Sequence, residues 1–284
     1  MKYTFIAEHS QEFAIRLLCR VLGVSSSGYY AWQKRPVSQR QRANEQLGEQ
    51  IRGVYERSRS TYGSPRIHAD LLAMGIRCSR KRVARLMRLE GIQARCQRRY
   101  KVTTQVDTRK QAAPNLLAQD FSAERVNHKW LADITYIATR QGWLYLAAVM
   151  DAFSRRIVGW SMSNRLHTKL VKDALQLALG RRTINGDLIH HSDRGSQFTS
   201  DDYQTLLLQH NIRVSMSATG NCYDNAMMES FFATLKTECV TEPYSTRRIA
   251  RHNIFEYIEV WYNRQRRHSA LGYLSPLAFE RQHV

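Results

Sequence analysis

The spacing of apolar positions changes near residue 120. Up to residue 95 they recur at helical intervals of three and four. From Lys129 onward they gather into short apolar runs separated by turns, the pattern of strands interleaved with helices. In the front part, Ile15, Leu18 and Leu22 predict a helix that Gly23 ends, and Ser25 caps the next. Two short helices and a tight turn over residues 12–33 fit a helix-turn-helix and an ordinary helical hairpin equally well. Pro36 interrupts. A helix over 42–57 follows, with Leu47, Ile51, Val54 and Tyr55 on one face, and residues 58–63 break it. Ser64 as a cap, followed by Pro65 at the first helical position, predicts another helix, with Ile67, Leu71 and Leu72 as its stripe and Gly75 as its stop. Ser79 caps a third, with Val83, Leu86 and Met87 inward and Gly91 closing it.

Residues 95–120 lose periodicity and predict a linker, with a boundary near Pro114. Residues 130–139 are apolar on both faces, as a central strand is. Strands over 143–153 and 155–160, a helix over 168–179, a strand over 187–191, a helix over 201–210 and a strand over 212–217 complete an α/β pattern. A helix through Met228, Phe232 and Leu235 follows. The tail, 246–263, is an amphipathic helix with Ile254, Phe255, Ile258 and Trp261 on its apolar side, followed by Arg264, Arg266, Arg267 and His268. That basic end suits DNA-backbone contact and a solvated surface equally. The divisions expected are 1–36, a short helical segment; 37–95, a helix-turn-helix DNA-binding domain; 96–120, the linker; 121–240, an α/β core; and 241–284, a basic helical extension.

Charge sharpens this picture. The 284 residues carry a formal net charge of +19, and 23 Lys and Arg face only 8 Asp and Glu in residues 1–110. Such a front is the electrostatic footprint of a polyanion-binding region, and its preponderance of arginine suits bidentate phosphate contact. The outer positions of the third helix, Arg80, Lys81, Arg82, Arg85 and Arg88, stand where a recognition helix meets DNA. A solvated basic face is the plainer alternative, and the caps and short turn beside it favour DNA. Five scattered cysteines without a CxxC pair leave a zinc knuckle unsupported and fit a reducing cytoplasm. No secretory leader or run of about 20 apolar residues appears, so no membrane role is expected.

Three carboxylates carry the candidate chemistry. Asp133 lies within the central strand, Asp193 follows a short strand, and Glu229 lies on a helix with 35 residues between it and Asp193. Singly, each has a plain reading: a backbone-bonded Asp, an Asx-turn, a solvated helical Glu. Together they suit hard divalent cations such as Mg²⁺, two of which activate the attacking oxygen and stabilise the leaving one in displacement at phosphorus. Lys236, two helical turns beyond Glu229, shares its face. Asp151 is the strongest decoy acid, and Asp224 reads as a helix cap. His190 and His191 read as phosphate or water contacts.

HSDRGSQF (191–198), DNAMMESFF (224–232) and YNRQRRHSALGYLSP (262–276), with the acid spacing above, resemble the OrfB-type DDE transposases of bacterial insertion-sequence family three, whose cores are retroviral-integrase-like. Asn225 and Ser230 match the same motif without an evident role. The resemblance implies an α/β ribonuclease-H-like (integrase-type) catalytic core, a helix-turn-helix front and a helical C-terminal extension. It implies Asp133, Asp193 and Glu229 as the catalytic, metal-binding triad, with Lys236 beside the donor phosphate. Two Mg²⁺ ions, with Mn²⁺ as a substitute, are implied as cofactors. The implied partners are double-stranded DNA (terminal inverted repeats and target), further copies of the chain on that DNA, and an upstream-frame OrfA-type protein. The implied location is the bacterial cytoplasm, at the nucleoid. The chain lacks the His/Cys zinc domain that opens retroviral integrases, and no sustained heptad appears. Two other readings remain at this point: a sequence-specific regulator with an inactive core, and a ribonuclease-H-like nuclease without strand transfer.

Overall fold

The computed structural model describes residues 1–95, 113–217 and 222–283, with the side chains of 222 and 223 left aside. The chain forms two compact units, Met1–Arg52 and Gly53–Val284. In the first, α1 (Lys2–Glu8), α2 (Ile15–Val21) and α3 (Ser26–Gln33) enclose a small core of Ile6, Leu18, Cys19 and Tyr29. Ser25 caps α3 through the Gly28 N–H, as expected. The α1 helix was not expected from the pattern, because it buries a single residue, Ile6. Helix α4 (Gln39–Arg57) follows, with Leu47, Ile51 and Val54 buried.

Within the second unit, α5 (Ser64–Ala73) and α6 (Arg80–Leu89) form the two helices after the break. Ser79 accepts from the Arg82 N–H and buries Val83, Leu86 and Met87, as its sequence predicts. Two details differ for α5. Gly63, not Ser64, is its N-cap, and Leu72 is 48 % exposed, leaving Ile67 and Leu71 as the buried pair.

Five strands make one sheet in the order β3-β2-β1-β4-β5. They are β1 (Lys129–Ile137), β2 (Leu144–Asp151), β3 (Ile157–Ser163), β4 (Ile189–Ser192) and β5 (Arg213–Met216). Strands β1 to β3 run antiparallel, and β4 and β5 add parallel to β1. The strand that is apolar on both faces is therefore the central one. Helix α7 (Thr168–Arg181) crosses between β3 and β4, and α8 (Asp201–Gln209) between β4 and β5. Their apolar faces join Trp130, Ala132, Val149 and Val158 in the main core. Helix α7 lies so close to β3 that a Cβ on Gly159 would stand 2.2 Å from the Ala174 carbonyl oxygen.

Helix α9 (Ala226–Glu238) packs on β1. Beyond it, α10 (Arg247–Glu256) passes into a π-helical stretch, Tyr257–Tyr262, and α11 (Pro276–His283) ends the described chain. The expected uniform tail helix is thus two kinds of helix. Ile254, Tyr257, Ile258, Trp261 and Tyr262 are buried, while Phe255 is exposed and meets Trp160 edge-on.

The basic end of that tail is not solvated either, except at Arg264. Arg266 is buried against Glu238, donating from both Nε and Nη2, and Tyr257 and Trp261 donate to the same carboxylate. Arg267 pairs with Asp70 of α5 at 2.5 Å, and its backbone N–H donates to the Tyr62 hydroxyl. The segment before β1 is also anchored. Residues 96–112 of the expected linker lie outside the described residues, whereas Leu117 is buried and the Leu116 N–H donates to Ser215.

Candidate active site

Pairing of β1 with β4 sets Lys129 opposite Ile189, Trp130 opposite His190 and Leu131 opposite His191. The same offset, carried two residues further, brings Asp133 level with Asp193 just past the end of β4. Asp193 opens the following turn and accepts from the Gly195 N–H at 3.0 Å. A Cβ on Gly195 would stand 3.0 Å from that carboxylate oxygen, so glycine lets the turn close against it. Asp133 accepts from the Ile134 N–H at 2.7 Å. Both acids are half-buried, and Glu229 is exposed on α9.

The charges of these groups are linked. Burial, then the negative charge of Asp193, then that of Glu229 raise the Asp133 carboxyl well above its ordinary range; the Ile134 N–H and the Lys236 ammonium work against them. Burial raises Asp193, with the Gly195 N–H opposing, and partial desolvation raises Glu229. Lys236 is lowered by burial and held up by Asp133. Four residues distant in sequence thus share one electrostatic neighbourhood, with three carboxylates against one ammonium. Among the described residues, no three His, Cys, Asp and Glu side chains stand close enough together to hold an ion as they are.

The remaining candidates separate. Asp151 is fully buried and accepts from the N–H groups of Asn127, Phe153 and Ser154, a structural role. Asp224 does not cap α9. The N-cap is Asn225, without a side-chain cap bond, and Asp224 is buried and accepts from Asn115 at 3.0 Å. His190 and His191 do not face phosphate or solvent. Both are fully buried; His190 meets the Tyr203 hydroxyl, and His191 lies between the Ser215 and Ser217 hydroxyls. Burial lowers them to about 3 and about 4, so both rings are neutral. Asn225 is buried and donates to the Ala132 carbonyl, next to Asp133, while its Oδ1 has no partner among the described residues.

Sequence reasoning passed over Tyr136. Its hydroxyl, raised first by burial, also feels Tyr145, Asp193 and Asp133, and its ring meets Trp143 and Tyr145 edge-on. The signal was there in the exposed aromatics flanking the β1–β2 turn. On α6, Arg80, Lys81, Arg85 and Arg88 are exposed, and Arg82 is half-buried.

Comparison with known proteins gives this geometry its family. Residues 41–100 match the family model of an HTH-like domain, and residues 123–222 and 210–276 match two models of an integrase core domain. The chain is 46 % identical over 287 aligned residues, covering 100 % of both proteins, to the transposase InsF for insertion sequence IS3A of Escherichia coli K12. The chain belongs to the IS3 family of transposases. It is also 43 % identical over 267 residues to the uncharacterized 31 kDa protein of insertion element IS600 from Shigella sonnei, covering 94 % of the transposase and 98 % of that protein. Among solved structures, the simian T-cell lymphotropic virus intasome in complex with the PP2A regulatory subunit B56 gamma is similar at a TM-score of 0.48 and 15 % identity, covering 75 % of the transposase and 69 % of that chain. The transposase therefore has a ribonuclease-H-like integrase core behind an HTH-like segment, and its activity is DDE-type polynucleotidyl transfer on DNA. An inactive regulator and a nuclease without strand transfer are set aside. Among the described residues, no helix is long and apolar enough to cross a membrane.

Proposed function

We propose that Asp133, Asp193 and Glu229 are the catalytic carboxylates of the transposase and the ligands of two Mg²⁺ ions, for which Mn²⁺ substitutes. The observation that carries this reading is the linkage at Asp133: the strand register levels it with Asp193, and the charges of Asp193, Glu229 and Lys236 all reach it. The donor set fits a hard cation, being all oxygen and over-charged for its surroundings. When bound, such ions supply Lewis-acid activation of the attacking oxygen and charge stabilisation at phosphorus.

The chain itself positions and orients. The Ile134 and Gly195 N–H groups fix the rotamers of Asp133 and Asp193, and Lys236 holds a phosphate of the element end beside Glu229. Water attacks a phosphodiester at the end and frees a 3′-hydroxyl. That hydroxyl then attacks a target phosphodiester, losing its proton while the displaced target oxygen gains one. The first step leaves a 5′-phosphate on the flanking strand, and the second exchanges one phosphodiester for another, so neither needs an external energy source.

In this proposal residues 37–95 act as the DNA-reading module, with Arg80, Lys81, Arg82, Arg85 and Arg88 toward the terminal repeats. Each chain carries one set of carboxylates, so joining two ends requires at least two copies on the DNA. An upstream-frame OrfA-type protein is the further partner, and the setting is the bacterial cytoplasm at the nucleoid.

Asp193→Asn tests the assignment, because it keeps shape and removes one ligand charge. Nicking and joining of labelled element ends in Mg²⁺ should fall at least about a hundredfold with DNA binding unchanged. Asp202→Asn, at an exposed position of α8, is the active control. Asp151 is unsuitable for that purpose, since its carboxylate holds three backbone N–H groups. Substantial cleavage by Asp193→Asn would sink the assignment.

A further inference from the structure

On another face of α9 from Glu229 and Lys236, a cavity of about 110 Å³ opens among Arg66, Arg155, Arg266, Ser230, Thr234 and Ser269. One ordered water needs only on the order of 10–15 Å³ of such space, so the cavity has room for a tetrahedral oxyanion. Its walls come from four parts of the chain. Arg66 lies on α5 within the HTH-like segment, Arg155 on the turn between β2 and β3, and the hydroxyls on α9 and the segment after the π-helical stretch.

The charge around it does not balance. Arg266 is matched by Glu238. Arg66 and Arg155 are half-buried, and among the described residues neither side chain makes an ion pair or a hydrogen bond; Arg66 lies over the Tyr62 ring, 5.5 Å from its centroid. Neighbouring His268 is held neutral, at about 2, by burial and then by the positive charges of Arg266, Arg66 and Arg155. The charge of Glu238 also reaches Arg66, so the guanidinium groups of Arg66, Arg155 and Arg266 around this polar cavity share that one carboxylate among the described residues. Leaving cations uncompensated costs stability, and the backbone adds to the cost. Arg155 stands at φ 59, in the left-handed region that residues with a Cβ rarely occupy.

We propose that this cavity binds a phosphate of the DNA backbone, gripped by Arg66 from the HTH-like segment and Arg155 from the integrase core. Guanidinium forks match a phosphate in geometry as well as charge, and the Ser230, Thr234 and Ser269 hydroxyls supply further donors. DNA is the polyanion this transposase acts on, and a phosphate held here ties the reading helices to the core. The proposal rests on action on DNA, not on which carboxylates are catalytic.

The test uses the full chain in two arms. In the first, thermal stability is followed against inorganic phosphate, with chloride replaced to keep ionic strength constant. In the second, affinity for an element-end duplex is followed against salt. Wild type should show a saturable rise in Tm with phosphate. Arg66→Gln and Arg155→Gln should lose that response while matching or exceeding the wild-type Tm without phosphate. Each should lower the slope of log affinity against log salt by about one. Arg155→Lys keeps the charge and loses the fork; it should retain part of the response and decides the matter if a Gln variant fails to fold. Asp202→Asn, at an exposed position of α8, should behave as wild type in both arms, and because neither arm reads cleavage, failure here stands apart from failure of the triad. A non-saturating rise shared by every variant is general salt exclusion and overturns the site. A phosphate response with an unchanged salt slope marks an adventitious ion only and overturns the DNA assignment.

Discussion

Asp133 stores an unfavourable charge. Its carboxyl is half-buried, faces the charges of Asp193 and Glu229, and is eased by Lys236 and one N–H. Replacing it with Asn keeps an acceptor for the Ile134 N–H and removes the repulsion. Asp133→Asn should therefore raise the Tm of the metal-free transposase by about 2–4 °C, the equivalent of about 1 kcal/mol at this size, while nicking is lost. Differential scanning calorimetry beside a cleavage assay checks both halves, and a lower Tm would count against a repelled Asp133. His190 makes a different test. The unfolded chain takes up a proton near pH 6.5, whereas the folded chain refuses it until about 3. The unfolded state thus binds more protons in that window, so stability falls as pH falls through it and is restored above it. His190→Gln should flatten the acid limb of a urea-measured stability curve by about 1.4 kcal/mol per pH unit, whatever its effect at neutral pH. An unchanged slope would mean that the ring is charged in the fold.

At the scale of elements, Gly159 decides how close α7 comes to the sheet. Gly159→Ala would drive a methyl into the Ala174 carbonyl and Ala178. Overpacking of this kind costs on the order of 1–3 kcal/mol or more, to be read as a lowered urea midpoint with an unchanged m-value. Much of this architecture was legible in the sequence because its signals are local. The two-sided apolar run of β1, the Ser25 and Ser79 caps and the stripe of α6 all sit within one element. The acids proposed as catalytic were picked out by motif spacing and family resemblance. What brings two of them level, the β1–β4 register, is a pairing across 60 residues that no local pattern encodes. The same reason hid the docking of Asn115 on Asp224, 109 residues away, and the buried setting of His190 and His191, whose polar side chains read as exposed. Leu72 and Phe255 failed because a neighbour already filled the inward position on their helices.

For the molecule as a whole, charge and packing pull the front region in two directions. Residues 1–110 hold 23 of the 43 basic side chains, as a separate DNA-binding piece would. Yet Tyr62 packs on Trp261, Asp70 pairs with Arg267, and Arg59 pairs with Glu256, all between the α4–α5 region and the far end of the chain. A fragment ending at residue 110 should accordingly be cut by protease within residues 58–75 far faster than the full chain. Equal protection in limited proteolysis would show that the helices stand unaided. The longest of these ties, from the Tyr62 hydroxyl to the Arg267 N–H, spans 205 residues. Ribosomes add about 5–20 residues per second, so roughly 10–40 s pass between the emergence of one partner and of the other. Through that interval the HTH-like segment lacks its clamp. Its docking thus waits on the ribosome, until the chain has been made past Arg267.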